Sequence, residues 1–184
     1  MIYIEIDRLI LRDWISGDEE PFIQLNADEK VMRFFPETLT APDSLQLIEK
    51  IKKHFADYGY GLFAVERKDN KKFIGFTGFS HPSFISNFTP CIEIGWRLNH
   101  AEWNKGFATE AAKACIQYGF DKLELKEIYS FTSVHNNPSE KVMKKIGMKK
   151  EGIFEHPALE ENYYLKSHVL YKISNEYNIN IRYQ

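Results

Sequence analysis

With 184 residues, 43% hydrophobic and 15% aromatic, the chain holds enough apolar side chain for the core of one ordinary domain, which excludes a disordered polypeptide. A formal charge of −2 gives no general attraction to nucleic acid or to an acidic membrane. The opening Met1-Ile2-Tyr3-Ile4-Glu5 lacks the basic and apolar regions of a secretory leader, and no run approaches the ~20 apolar residues of a spanning helix, so a cytoplasmic protein without membrane or nucleic-acid partners is expected.

Residues 2–11 alternate well enough for a first strand, and Ser16-Gly17-Asp18-Glu19 has the form of a capping box opening a short helix. A second short helix is expected over 29–34. Thr40-Ala41-Pro42-Asp43 reads as the start of a third, with Leu45, Ile48, Ile51 and Phe55 along one face. Strand, turn and strand follow at 62–66, 68–71 and 73–79, and 81–90, with two prolines and little periodicity, reads as a loop. Beyond it come a buried strand at 91–98, an Ala-rich helix at 109–123, a strand at 127–134, a short helix at 139–146, and strands near 151–154 and 165–173. Strands before helices, then alternation of the two, suit an α/β three-layer arrangement with a mixed sheet. No linker or repeat interrupts 1–174, read as a single domain, and 175–184 reads as a polar, loosely held tail. Cys91 and Cys115 lie in apolar segments without metal or redox spacing and are expected in the core; no zinc-binding pattern is present.

Between the strand at 91–98 and the helix at 109–123 lies Trp103-Asn104-Lys105-Gly106-Phe107-Ala108-Thr109-Glu110. Gly106 and Ala108 keep side chains out of the way, so successive backbone N–H groups at the helix start can converge on a diphosphate, helped by the helix dipole. As a bare pattern, a Gly and an Ala at such a junction serve packing equally well. The run is neither the glycine-lysine loop of nucleoside triphosphatases nor the three-glycine dinucleotide fingerprint, which speaks against a nucleotide-binding domain.

This run resembles the acetyl-coenzyme A diphosphate loop of the GCN5-related N-acetyltransferase (GNAT) superfamily, of general form Gln/Arg-x-x-Gly-x-Gly/Ala, and is most similar to the branch that acetylates ribosomal-protein N-termini. Trp103 stands where Gln or Arg is common and Asn104 where Gly is common. The resemblance extends to Asp7-Arg8-Leu9-Ile10-Leu11-Arg12, to Asn26-Ala27-Asp28-Glu29-Lys30-Val31-Met32-Arg33, to Asn136-Asn137-Pro138-Ser139 with 142–148, and to His168-Val169-Leu170-Tyr171-Lys172-Ile173. It implies a sheet, mostly antiparallel, splayed at its centre between 91–98 and 127–134, with helices on both faces and acetyl-CoA in the gap. It further implies a diphosphate on the amides of Asn104, Lys105, Gly106, Phe107, Ala108 and Thr109, beside Trp103. The pantetheine would pair along Trp96, Arg97 and Leu98 and meet the side chain of Asn136.

Acetyl transfer from a thioester to an amine needs a held cosubstrate, a neutral amine, oxyanion stabilisation and a proton for the thiolate. Glu93, a carboxylate within the apolar strand that leads to the loop, is the candidate general base; its alternative is a structural carboxylate paired with Arg97 or another cation. His135 and His168 are rival bases, or packed histidines. Neutralising a lysine amine at pH 7 costs about 4.6 kcal/mol and a chain α-amine only about 1 kcal/mol, so a partly shielded Glu suits an α-amine better. The family often carries a Tyr acid seven residues after the Asn of its second segment; here that position is Met143, and the resemblance offers Ser139 instead. Asn137 as a cap, with Pro138 and Ser139 in the first turn, would serve folding alone. Phe34, Phe35, Tyr163, Tyr164, His156 and His168 could line an acceptor pocket. The expected function is acetyl-CoA-dependent N-acetylation of a protein N-terminus or a small amine by a monomer or homodimer; the alternative is a catalytically idle acyl-CoA-binding module.

Overall fold

Asp7 and Arg8 interrupt the alternation that begins at Ile2, and the chain turns there. In the computed structural model, which describes residues 1–161 and 163–175, β1 (Ile2–Glu5) and β2 (Leu9–Arg12) are an antiparallel pair rather than the single strand expected over 2–11. The Ile6 N–H closes the turn on the Leu9 carbonyl at 3.1 Å. Contacts divide the chain into two units, Met1–Ser80 with Gly95–Cys115, and His81–Ile94 with residues from 116 onward.

In the first unit, β1, β2, β3 (Leu62–Arg67) and β4 (Phe73–Ser80) form an antiparallel meander, followed in order by the second half of β5 (Glu93–Leu98). The approach to β5 is close. Gly75 has φ +138°, and a Cβ there would stand 2.1 Å from the Arg97 carbonyl oxygen, so only glycine fits. Helices α1 (Glu19–Ala27), α2 (Glu29–Met32) and α3 (Ala41–Tyr58) contribute to one core in which Trp14, Phe22, Leu25, Val31, Met32, Ile48, Ile51 and Phe76 are buried. Each such large side chain adds about 1.5–3 kcal/mol of burial.

Three local expectations are corrected here. Ser16 does not open α1 with a capping box; a 3-10 turn over Ser16–Asp18 precedes the helix, and the Asp18 carboxylate accepts the Ile15 N–H at 2.9 Å and grips Arg12 at 2.7 and 2.9 Å. Arg12 also holds Glu66 at 2.7 Å, so a largely buried cation is matched by two carboxylates, which raise its pKa, Asp18 most strongly. The second helix stops at Met32, where the Phe35 N–H turns back on the Met32 carbonyl at 2.8 Å, leaving Phe34 and Phe35 in the turn beyond it. The third helix opens with the expected Thr40–Asp43 box, but Leu45 is 39% exposed, and the inward position beside it belongs to Ser44, whose Oγ accepts from Asn26 Nδ2 at 3.1 Å.

In the second unit the order is β5, β6 (Glu127–Ser133), β8 (Ser167–Ser174) and β7 (Lys149–Glu155). β5 and β6 are parallel with Glu93 opposite Tyr129, and the Tyr129 N–H donates to the Ile92 carbonyl at 2.8 Å; β6–β8 and β7–β8 are antiparallel. The segment 81–90 has no regular element, as expected, but it is anchored by Phe84 and Phe88, whose rings lie 5.5 Å from Phe131 and 4.9 Å from Phe154. Helix α5 (Asn137–Lys145) is tied to β8 by Tyr171, which donates to Glu140 at 2.7 Å. Asn175, the first residue of the expected tail, donates its N–H to the Lys126 carbonyl at 2.9 Å; residues 176–184 lie outside the described residues. Both cysteines are core residues: Cys115 is fully buried and Cys91 nearly so, and burial pushes the Cys91 thiol up to about 11. Among the described residues the fold is thus α/β, with eight strands in a mixed, mostly antiparallel order. Among the described residues no helix is long and apolar enough to cross a membrane.

Candidate functional site

The run after β5 folds into a left-handed turn feeding a helix. Asn104 has φ +60° and Gly106 φ +85°, then α4 (Phe107–Asp121) begins. A positive φ at Asn104 explains why glycine suits the same position in the general loop form, and Asn is among the residues that tolerate it. The first hydrogen bond of α4 is Glu110 N–H to the Gly106 carbonyl at 3.0 Å, so the amides of Phe107, Ala108 and Thr109 have no acceptor within their own helix. A Cβ on Gly106 would meet one atom, Arg8 Nη2 at 3.4 Å. The loop residues Asn104, Lys105 and Gly106 are exposed while Phe107 is buried, which fixes the helix start and leaves the amide end accessible. Exposed donors at the positive end of a helix form a fitting cradle for a diphosphate.

Trp103 replaces the expected polar residue with an anchor: its Nε1 donates to the Leu98 carbonyl at 2.8 Å and its ring packs against the core of the first unit. Lys105 is exposed, and its Nζ pairs with Glu102 at 3.0 Å, a carboxylate also held by Arg67 Nη1 at 3.0 Å. Arg8, which lies in the opening segment of the resemblance, has a role at the loop that its own segment does not suggest. Its guanidinium holds Glu110 through Nε at 2.6 Å, donates through Nη1 to the Lys105 carbonyl at 2.9 Å, and lies 4.4 Å from the Phe107 ring centroid. Glu110 sits in the first turn of α4, where an unmatched carboxylate would compete with any bound anion. Arg8 neutralises it. The partners are separated by 102 positions, and no local pattern announces such a pair.

Trp96, Arg97 and Leu98 lie on β5 as expected, and the loop is tied to them through Trp103. The Arg97 side chain has a separate role: Nη1 donates to Asn26 Oδ1 at 2.6 Å, and the guanidinium lies over Phe35 at 4.3 Å and Phe76 at 5.4 Å. Phe34 is covered by Arg33 at 4.5 Å.

In the second unit, Glu93 is half-buried at the start of β5. Asn136 and Ser139 are brought together, but with a correction: Asn136, not Asn137, is the cap of α5. Its Oδ1 accepts the Ser139 N–H at 3.3 Å and its Nδ2 donates to Thr132 at 2.9 Å, so both ends of the amide already serve local structure. Ser139 is half-buried in the first turn, and Met143, at the position of the family's Tyr, is 1% exposed and belongs to the core. His168 directs Nδ1 at the Lys166 carbonyl at 3.0 Å; a carbonyl only accepts, so Nδ1 carries the hydrogen and Nε2 the lone pair. Burial holds its pKa below the ordinary value, and His156, with ring centroid 5.0 Å away, is lowered by burial and by His168. Tyr163 donates its N–H to the Glu160 carbonyl at 3.1 Å, and its ring stands 5.1 Å from that of Tyr164. His135 is exposed. Among the described residues there is no cluster of His, Cys, Asp and Glu able to hold a metal ion.

Comparison with known proteins gives these features a context. Residues 8–149 match the family model of the acetyltransferase (GNAT) domain. The uncharacterized N-acetyltransferase YnaD of Bacillus subtilis is 35% identical over 156 residues, covering 84% of this chain and 86% of that protein. The crystal structure of a GNAT-family acetyltransferase from Bacillus anthracis superposes with a TM-score of 0.79 at 30% identity, over 96% of this chain and 99% of that one. A spermidine N-acetyltransferase from Vibrio cholerae, crystallised with CoA and spermine, shares the fold with a TM-score of 0.74 at 24% identity, over 94% of this chain and 98% of that one.

Proposed function

The chain belongs to the GNAT acetyltransferase family, whose members use acetyl-CoA, and from that premise we propose that it acetylates a primary amine, with the amine attacking the thioester directly. The observation that carries the reading is the exposed amide end of α4 behind the left-handed Asn104–Gly106 turn, its own carboxylate Glu110 already neutralised by Arg8. These residues fit the diphosphate of acetyl-CoA, with the strand edge at Trp96–Leu98 beside the pantetheine. Bound there, acetyl-CoA would supply an activated acetyl thioester.

The chain's own groups would then manage protons and orientation. Glu93 takes the proton from the acceptor amine, directly or through water, as the C–N bond forms and the C–S bond breaks. Ser139, whose hydroxyl has no hydrogen-bond partner among the described residues, donates to the departing sulfur. His168 is a second candidate for the base, because its Nε2 lone pair is available and burial favours the neutral ring. The acceptor is a peptide α-amine or a small amine. Polyamine binding is a property of the V. cholerae protein, and its fold likeness alone does not transfer it. The buried free cysteines suit the reducing cytoplasm.

Acceptor-dependent release of thiol from acetyl-CoA tests the reading. Glu93→Gln is expected to lower turnover by about 10²–10⁴-fold with little change in acetyl-CoA affinity. A variant working at full rate would remove Glu93 from the mechanism, and a similar loss in His168→Gln instead would transfer the role.

A further inference from the structure

Two arginines of the first unit are withdrawn from water, and they differ in what surrounds them. Arg12 is matched by Asp18 and Glu66. Arg97 has no carboxylate partner among the described residues. Its one hydrogen-bond partner there is the neutral amide of Asn26, through Nη1 at 2.6 Å. The Nε atom is shut away from water and has no partner. Around the guanidinium stand the rings of Phe35 and Phe76 and the buried Asn26. Burial alone shifts its pKa, down to about 10, with no neighbouring anion to oppose it, so the group stays charged at neutral pH.

An unmatched cation with an unsatisfied N–H costs stability, since cation–π contact and one amide hydrogen bond recover only part of its hydration. The Nε–Nη2 edge, which Asn26 does not use and whose Nε is buried without a partner, has the fork geometry that accepts a carboxylate through two parallel hydrogen bonds. Arg97 also lies on the strand that the proposed chemistry uses, over Phe35, which is 38% exposed and reachable from solvent.

Resting on the acetyltransferase reading above, we infer that the acceptor is an amine that itself bears a carboxylate, an amino-acid-type small molecule, and that the Nε–Nη2 edge of Arg97 recognises that carboxylate beside the Phe35 ring. A polycationic amine is disfavoured at this site by like-charge repulsion.

The test compares L-phenylalanine, L-phenylalaninamide and spermidine as acceptors, with kcat and KM measured separately. A carboxylate raises the pKa of its own amine, so chemistry alone favours the amide; a preference for the acid must come from recognition. We expect kcat/KM to favour the acid by about 10–100-fold, mainly through KM, as for hydrogen bonds to a charged group. Arg97→Gln should bring the ratio close to one, and Arg97→Lys should retain part of it. Arg97→Gln should also melt at or above the wild-type temperature, because it removes an unmatched buried charge; a structural arginine would give a marked fall. Equal use of acid and amide by the wild type, preference for spermidine, or an acid preference that survives in Arg97→Gln would each overturn the inference. If no amine is acetylated although acetyl-CoA binds, the acetyltransferase reading fails separately. Calorimetry with N-acetyl-L-phenylalanine and its amide then decides the carboxylate question on binding alone: preference for the acid that Arg97→Gln abolishes supports it, and equal affinity overturns it.

Discussion

Replacing Arg8 by Leu keeps an apolar stem over Phe107 but removes the cation that holds Glu110 and the Lys105 carbonyl. The Glu110 carboxylate, 22% exposed, then stands unmatched in the first turn of α4. For a phosphate charge about 6 Å away, the added repulsion is about 0.7 kcal/mol at the dielectric of water and about 2.8 kcal/mol at an effective dielectric of 20. Partial exposure and salt place the expected result toward the lower part of that range, about 3- to 30-fold weaker binding of acetyl-CoA. Titration calorimetry at low and high salt measures it, and the loss should shrink as salt rises. The double variant Arg8→Leu/Glu110→Gln should regain most of the affinity, since the repelling charge is gone. Unchanged affinity in Arg8→Leu, or a double variant weaker than the single, would refute the view that Arg8 works by neutralising Glu110.

Gly75→Ala forces a Cβ against the Arg97 carbonyl, 2.1 Å from it before relaxation, and should cost about 2–4 kcal/mol, a fall of about 4–16 °C in melting temperature. Gly152→Ala, where nothing lies within 4 Å, is the control and should leave the melting temperature nearly unchanged; equal behaviour of the two would contradict the close approach of β4 and β5. His168 and His156 both have folded pKa values below the ordinary one, through burial first, so above the unfolded value, about 6.5, neither state is charged and nothing is lost. As pH falls through that value the unfolded chain takes up protons that the folded chain resists, and stability declines. Melting curves should fall between neutral and mildly acid pH less steeply in His168→Gln than in the wild type; parallel curves would remove His168 from the acid response.

Local chemistry carried much of the fold. Thr40 and Asp43 announced α3, and the apolar runs placed β3, β4, β6 and β8 to within a few residues. Gly106 marked the turn before α4, because positive φ with little side chain leaves few choices of residue. What stayed hidden depends on partners distant in sequence. The expected Ser16 box gives way because Asp18 answers Arg12, six positions earlier, a buried cation that it shares with Glu66 on another strand. The break at Asp7 and Arg8 is overlooked when the apolar runs on either side are read as one strand; the antiparallel pairing of Ile4 with Leu11 and Glu5 with Ile10 shows the turn. Asn136 reads equally as a ligand contact or a cap, and only its bonds to Ser139 and Thr132 reveal the second use. Arg97 looked like one polar position on a strand edge. That it is unmatched follows from Asn26, 71 positions away.

The direct measurement is calorimetric titration of acetyl-CoA into the wild type and into Gly106→Trp, with circular dichroism to show that both are folded. Bulk over the amide end of α4 should abolish saturable binding in the variant while the wild type binds one equivalent per chain. Equal affinity in both would mean that the diphosphate is held somewhere other than the turn at Asn104–Gly106.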